Sequence, residues 1–352
     1  MNDAFTCTVN PARIVFGRGA ISQLPAEVSR LGRKRALVLA TPSRKADAED
    51  LAARLGEAAV GIFAGAAMHT PVAVTDAAVA AFTAAAADCV IAFGGGSTIG
   101  LGKAIAWRND TPQIVVATTY AGSEVTPILG ETEGGRKTTR RDPRILPEAV
   151  IYDPNLTLRL PVATSVSSGL NAMAHAVEAL YAQDRNPIST LQAAEGLRAM
   201  RDALPLVVRT PDDIGARSLA LYGSWLCGTV LGTVGMALHH KLCHTLGGSF
   251  DLPHAETHAI LLPHSAAYNA VAAAEALRPV AELFGGSVGG GLRDFAASLG
   301  APLALRDLGL AEGDLDRAAD IAVINPYWNP RPIERNAIRS LLQRAWEGAR
   351  PQ

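Results

Sequence analysis

Long hydrophobic runs, paired cysteines and an excess of charge of either sign are all missing from this chain of 352 residues. Each absence closes off a class of function. The apolar stretch from Ala77 to Phe93 is Ala-rich, broken by Asp88 and shorter than a bilayer span, so no membrane helix is expected. The opening "MNDAFTCTVN" carries an acid and no apolar segment, so no secretory signal is expected. Cys7, Cys89, Cys227 and Cys243 stand without CxxC spacing, which argues against a zinc finger and for reduced thiols in a cytoplasmic protein. Lys and Arg total 32 against 33 Asp and Glu, with no basic run, so nucleic acid finds no electrostatic footprint. The rest is ordinary for a globular enzyme: 49% hydrophobic, 18% charged and long enough for two domains.

The chain changes character near residue 155. Before it, "RALVLAT" (35–41), "CVIAFGGGS" (89–97), "QIVVATT" (113–119) and "EAVIYDP" (148–154) read as buried strands ended by turn residues. Segments of helical period lie between them. That alternation predicts an α/β domain over 1–155, a parallel sheet flanked by helices. After it, "LNAMAHAVEALYA", "TLQAAEGLRAMRDAL", "LALYGSWLCGTVLGTVGMALHHKLCHTLG" and "AIRSLLQRAWEGA" predict an all-α domain over 156–352. The Gly-rich "GGSVGGG" (285–291) has no strand before it and reads as a helix–helix connection.

Neither the GxGxxG fingerprint nor a Walker loop is present. In their place "IAFGGGSTIGLGKAIA" (91–106) follows a strand and opens a helix. Consecutive glycines let backbone N–H groups approach a phosphate, and a helix N-terminus favours an anion. A tight strand–helix turn is the alternative. A second polar strand end, "ATTYAGSE" (117–124), favours a dinucleotide held by Gly94, Gly95, Gly96, Ser97, Thr98, Thr118, Thr119 and Tyr120. Where an NAD enzyme often carries an acid for the ribose, "LVLATP" offers Thr41, with no obvious Arg for a 2′-phosphate. NADH and NADPH are therefore both expected to serve.

Eight histidines are unevenly spread, with four inside "HHKLCHTLGGSFDLPH" (239–254). Asn171 and His175 are four apart on a predicted helix, as are His240 and His244, and His254 follows fourteen after His240. Two such pairs in apolar helices predict a site. His239, His258 and His264 read as supporting or structural.

These residues resemble the iron-containing alcohol dehydrogenases, a dinucleotide domain followed by a helical one, over nearly the whole chain. That family's metal ligands, an Asp, a His four later and two His fourteen apart, map onto Asn171, His175, His240 and His254. Its further active-site His maps onto His244, and a cofactor-contacting Lys onto Lys137. Three departures stand out: Gly100 replaces the Asp of GGGSxxDxxK ahead of Lys103, "TTYAGSE" is one residue shorter than the usual TTxxxxSE, and Asn171 replaces the Asp ligand. With "FGRGA", "MHTPV", "SGLNAMAHAVEALYA", "PHAETHAILLPH" and "NPYWNPRPI", they resemble the maleylacetate reductase branch.

The resemblance implies NADH- or NADPH-dependent reduction of a conjugated C=C bond in a dicarboxylate, in the breakdown of aromatic compounds. An amide among three neutral imidazoles is a poor home for a hard dication, so no metal is expected to be required, although Asn171, His175, His240 and His254 could retain some affinity. Asn171 and the four histidines are expected to line a substrate pocket between the domains of a homodimer. A metal-dependent alcohol dehydrogenase, a dehydroquinate-synthase-like lyase and an inactive binding module are the rival readings.

Overall fold

A computed structural model of the chain describes residues 5–7, 12–134 and 136–352, without the side chains at 136 and 137. Two compact units emerge among the described residues, one over 12–160 and one over 161–352 together with 5–7. The division falls at Leu160 rather than at 155. A 3₁₀ turn, Pro154–Thr157, is capped by Asp153, whose carboxylate also accepts from the Ile21 N–H at 3.2 Å, and this ties the segment to the first unit.

The first unit contains strands β1 (Arg13–Phe16), β2 (Ala36–Leu39), β3 (Ala59–Phe63), β4 (Cys89–Gly94), β5 (Gln113–Ala117), β6 (Ile128–Glu133), β7 (Arg136–Arg141) and β8 (Ala149–Tyr152). Six form a parallel sheet in the order β1-β8-β5-β4-β2-β3, and β6 pairs antiparallel with β7. Its helices are α1 (Leu24–Arg30), α2 (Lys45–Leu55), α3 (Val72–Ala84) and α4 (Gly96–Asn109). Alternate strand residues face opposite ways. Val38, Ile91, Phe93 and Val116 meet α1 and α2 on one face, while Leu37, Leu39 and Val90 meet α3 and α4 on the other. With both faces covered the strands are apolar throughout, which is why β2, β4, β5 and β8 are plain in the sequence. Strands β1 and β3 escape the pattern because neither is covered along its length: β1 has a single buried residue, Val15, and β3 is half-buried throughout.

The second unit is helical: α5 (Val162–Tyr181), α6 (Pro187–Arg209), α7 (Ile214–Thr233), α8 (Leu238–Phe250), α9 (His254–Ala273), α10 (Arg278–Phe284), α11 (Val288–Ser298), α12 (Leu315–Val323) and α13 (Arg335–Glu347). Every residue of α5 from Ser165 to Tyr181 is buried, as a central helix requires. Leu238, Leu242 and Leu246 of α8 join a core with α9, α12 and α13, each burial contributing about 1.5–3 kcal/mol.

The long apolar string read as continuous helix is broken. Between α7 and α8 the axis turns by 95°, and no single helix among the described residues is long and apolar enough to cross a membrane. The break forms because carboxylates take its backbone donors: the exposed Asp184 accepts from Gly235 N–H at 2.9 Å and the buried Glu178 from Ala237 N–H at 3.0 Å. In "GGSVGGG", only residues 285–287 make the connection. Ser287 caps α11 through the Gly290 N–H at 3.1 Å, so Gly289, Gly290 and Gly291 are helical.

Candidate active site

In the first unit, the chain leaves β2 outward to β3 and returns to β4 on the other side of β2. Such a reversal opens a crevice at the carboxyl ends of the strands, the usual place for a nucleotide in a doubly wound sheet. Thr41 follows β2 there, and Gly94 to Gly96 join β4 to α4. The three glycines are not equivalent. A Cβ on Gly94, where φ is +147°, would meet Thr98 Oγ1 at 2.6 Å, and one on Gly95 would meet the Thr119 side chain at 2.7 Å. One on Gly96 would meet nothing within 4 Å. The first two glycines therefore serve the loop's own packing, while Gly96 and the half-buried Ser97 form its open side.

Thr98 donates from its hydroxyl to Gly95 O at 2.9 Å, and Thr118 donates its N–H to Gly94 O at 3.0 Å. Both are buried and build the loop, and Tyr120 is buried as well. Gly95, at the N-cap of α4, brings no side chain to the first-turn N–H groups, which suits an anionic phosphate. Lys137 lies in β7, paired with Thr132, and its side chain is outside the described residues. Lys103 is fully buried, and its ammonium donates to Ser123 O at 2.6 Å, Thr126 Oγ1 at 2.8 Å and Ile128 O at 2.9 Å. Burial pushes it down to about 7, and its donors hold the 123–128 segment rather than facing the loop.

Gly100, the departure from the family pattern, has a local cause. Thr70 Oγ1 already occupies the place where a Cβ on Gly100 would stand. Thr70 is held there in a left-handed conformation, φ 47°, that a β-branched residue seldom adopts. An arginine near Thr41 was also overlooked. Arg44 lies in the turn that Thr41 opens, pairs with Asp47 and stacks over the Phe93 ring, 5.3 Å from its centroid.

In the second unit, α5 presents Asn171, His175 and Glu178 on one face, all buried. Helix α8 supplies His239, His240, Cys243 and His244. Helix α9 supplies His254 and His258, after a turn at Asp251 in the left-handed region. His240 lies 5.2 Å from His175, 5.9 Å from His244 and 5.1 Å from His258 between ring centroids. His254 joins the group through His258, at 4.4 Å. His258 is thus central rather than supporting, since its ring also meets His175 at 6.2 Å and His239 at 4.8 Å. His264 is the outlier, buried and pushed down to about 4 by burial and by the charges of Arg344 and Arg293. Lys241 turns its ammonium to Ile324 O at 2.7 Å.

Two residues missed in the sequence organise this cluster. Glu178 accepts from His240 Nδ1 at 2.6 Å, from the His239 N–H at 2.7 Å and from the Ala237 N–H at 3.0 Å. One carboxylate thereby caps α8, whose own N-cap residue is alanine, and orients the His240 ring. Burial pushes the Glu178 carboxyl up, yet His240 and these donors outweigh it and hold it below the ordinary range. The available signal was its place three after His175 and seven after Asn171, on the same helix face. Tyr327 is the other, its hydroxyl 3.0 Å from His244 Nδ1, and no local spacing announced it.

The rings differ in proton state. Burial, with neighbouring imidazoles adding to it, pushes His175 and His258 well below the ordinary value. Burial takes His239 down to about 3. Ser265 Oγ donates to Leu261 O at 3.0 Å, so it accepts from His239 Nδ1–H at 2.9 Å. His239 Nε2 then carries the lone pair and accepts from His258 Nδ1–H at 2.9 Å. With Glu178 on its Nδ1, His240 points Nε2 into the cluster, buried and without a partner.

The family's metal does not fit these residues. Asn171 brings a neutral amide, Glu178 is committed to His240 and the start of α8, and His175, His240 and His254 do not gather three ring nitrogens within 4.8 Å of one another. A dication there would have no anionic ligand.

Comparison with known proteins agrees with this architecture. Residues 11–154 match the iron-containing alcohol dehydrogenase family, and residues 165–346 match the C-terminal part of the Fe-containing alcohol dehydrogenase family. The chain is 66% identical to a maleylacetate reductase of Rhizobium sp. (strain MTP-10005), over 99% of each chain. It is 53% identical to one from Burkholderia cepacia, again over 99% of each. The crystal structure of maleylacetate reductase from Agrobacterium tumefaciens superposes with a TM-score of 0.95 at 66% identity, covering 99% of this chain and 100% of that one. The chain belongs to the iron-containing alcohol dehydrogenase family.

Proposed function

We propose that this chain is an oxidoreductase that reduces the C=C bond of maleylacetate to give 3-oxoadipate, using NADH or NADPH and no metal. The observation that carries the reading is the Glu178–His240 pair set among imidazoles that burial keeps neutral, with an amide at Asn171. The names carried by relatives of 66% and 53% identity support the substrate.

The nucleotide, when bound, supplies a hydride. Gly96, Ser97 and the start of α4 hold its phosphates. In maleylacetate the alkene is conjugated with a ketone, so hydride addition to one alkene carbon leaves an enolate spread over carbon and oxygen. The Glu178 carboxylate compensates a positive charge on His240, whose Nε2–H donates to the developing charge. That proton then passes to carbon, leaving His240 neutral and the ketone restored. His244, held by Tyr327, is a second donor beside it. An alcohol dehydrogenase would instead need a Lewis acid for a single alkoxide oxygen, which this donor set does not favour.

Loss of reduced-nicotinamide absorbance on adding maleylacetate tests the activity, and enzyme treated with chelator should keep it. Inactivation by chelator with recovery on added iron or zinc would overturn the metal-free mechanism. Asn171→Asp should raise affinity for a divalent cation without improving turnover. Both cofactors should serve, with Arg44 available to a 2′-phosphate. A preference beyond about a thousandfold, roughly 4 kcal/mol, would show that a single residue decides.

A further inference from the structure

The cluster's deepest corner holds a sulfur atom that the reduction does not use. Cys243 Sγ lies 3.5 Å from His239 Nε2, and His239 Nε2 lies 2.9 Å from His258 Nδ1. The three ligand atoms all lie within 4.8 Å of one another, and the residues are fully buried. We propose that His239, Cys243 and His258 form a binding site for a thiophilic d10 cation of the zinc(II) and cadmium(II) class, and that its occupation shuts down the neighbouring His240.

Geometry, tautomer and charge support the site. Tetrahedral zinc, with bonds of about 2.3 Å to sulfur and about 2.0 Å to nitrogen, sets N···S near ~3.5 Å and N···N near ~3.3 Å. The first separation is already present, and the second needs the two rings to part by a few tenths of an ångström. Metal-bound histidines characteristically donate their other N–H to a fixed acceptor. His239 does so to Ser265 Oγ, leaving Nε2 bare toward Cys243.

Binding displaces two protons in place. The thiol proton leaves to solvent, and the Nδ1 proton of His258 moves to its Nε2, a buried atom without a partner. A dication with one thiolate leaves a single positive charge, and the Glu178 carboxylate, already bonded to the His239 N–H, balances it. Sulfur thus supplies the anion that Asn171 cannot. The consequence for turnover rests on the proposed role of His240: its ring lies 5.1 Å from His258 and 5.5 Å from His239. A fixed cation there opposes the positive charge that His240 must carry.

The test titrates the reduced full-length protein with cadmium(II) or cobalt(II) alone, before any substrate is added. One equivalent should bind with a thiolate-to-metal charge-transfer band, and reductase activity should fall in step with it. Cys243→Ser should lose the band and, relative to its own metal-free activity, need at least about tenfold more metal for inhibition. Ser265→Ala, which frees the His239 tautomer with the thiol intact, should weaken binding by about 10–100-fold. Failure to bind, binding without a thiolate band, or a band that persists in Cys243→Ser overturns the site. A band with undiminished turnover overturns its link to His240. Because the band is read without substrate, a chain that proves inactive on maleylacetate still tests the site.

Discussion

The loop after β4 and the histidine cluster solve the problem of holding a ligand by opposite means. The loop works by omission: two glycines let Thr98 and Thr119 close in, and a third leaves the α4 N-terminus bare. The cluster works by accumulation, with buried polar side chains from α5, α8 and α9 arranged around one carboxylate. A site made of backbone tolerates change on its far side and fails when a Cβ appears. A site made of side chains fails when a partner is removed, because the groups left behind are buried and unpaired.

The sharpest way to break this contrast is at His240. His240→Ala should cost on the order of a hundredfold or more in kcat with maleylacetate, the scale for losing a general acid or an oxyanion donor, and His244→Ala should follow it. A variant with near-normal kcat would remove the cluster from the chemistry. Glu178→Gln should come next, at about 10–100-fold, because it acts through the orientation and charge of His240. Its pH–rate profile should shift along with its rate. Loss of stability with an unmoved profile would reduce Glu178 to a helix cap.

The loop can be dissected by comparing adjacent glycines. Gly96→Val should lower affinity for reduced nicotinamide cofactor at least tenfold, about 1.4 kcal/mol, in a protein that keeps its melting temperature. Gly95→Val should lower the melting temperature as well, since its side chain meets Thr119 rather than a ligand. Equal thermal behaviour in the two variants would erase the distinction drawn between them.

The mildest effect is on stability against pH. His175, His239 and His258 fold with pKa values pushed down by burial, His239 to about 3 from the ordinary 6.5. Between those limits the unfolded ring binds a proton that the folded ring does not, so stability falls as pH is lowered through that window. Urea midpoints should decline steadily from pH 7 to about 5, and more shallowly in His258→Asn. A flat midpoint over that range would show that these rings take up protons as readily in the folded protein as in the unfolded chain.

Much of this was legible in the sequence, for reasons that differ between the units. Strands β2, β4, β5 and β8 are continuous apolar runs because both faces of the sheet are covered, and glycine marks the end of β4 directly. Spacing placed Asn171 with His175 and His240 with His244, since helical neighbours obey a fixed period. Contacts between helices have no period. Tyr327 meets His244 from far along the chain, and His258 reaches the centre of the cluster only because Asp251 turns the chain back on itself. The bend between α7 and α8 was equally hidden, because Asp184 and Glu178, the carboxylates that stabilise it, belong to the end of another helix and the turn after it.

Thr70 and Gly100 have a consequence for how this chain could change over generations. With the threonine oxygen seated where a Cβ would go, Gly100→Asp on its own forces Thr70 to shift. Thr70→Gly made first relieves the left-handed backbone and vacates the space. Sequence drift between this loop and the family's usual one therefore runs through an ordered two-step path. Introducing the aspartate first should yield an unstable intermediate, and introducing it second a tolerated one. The pair is therefore coupled, and the order of substitution rather than their number decides whether an aspartate at 100 can be accommodated.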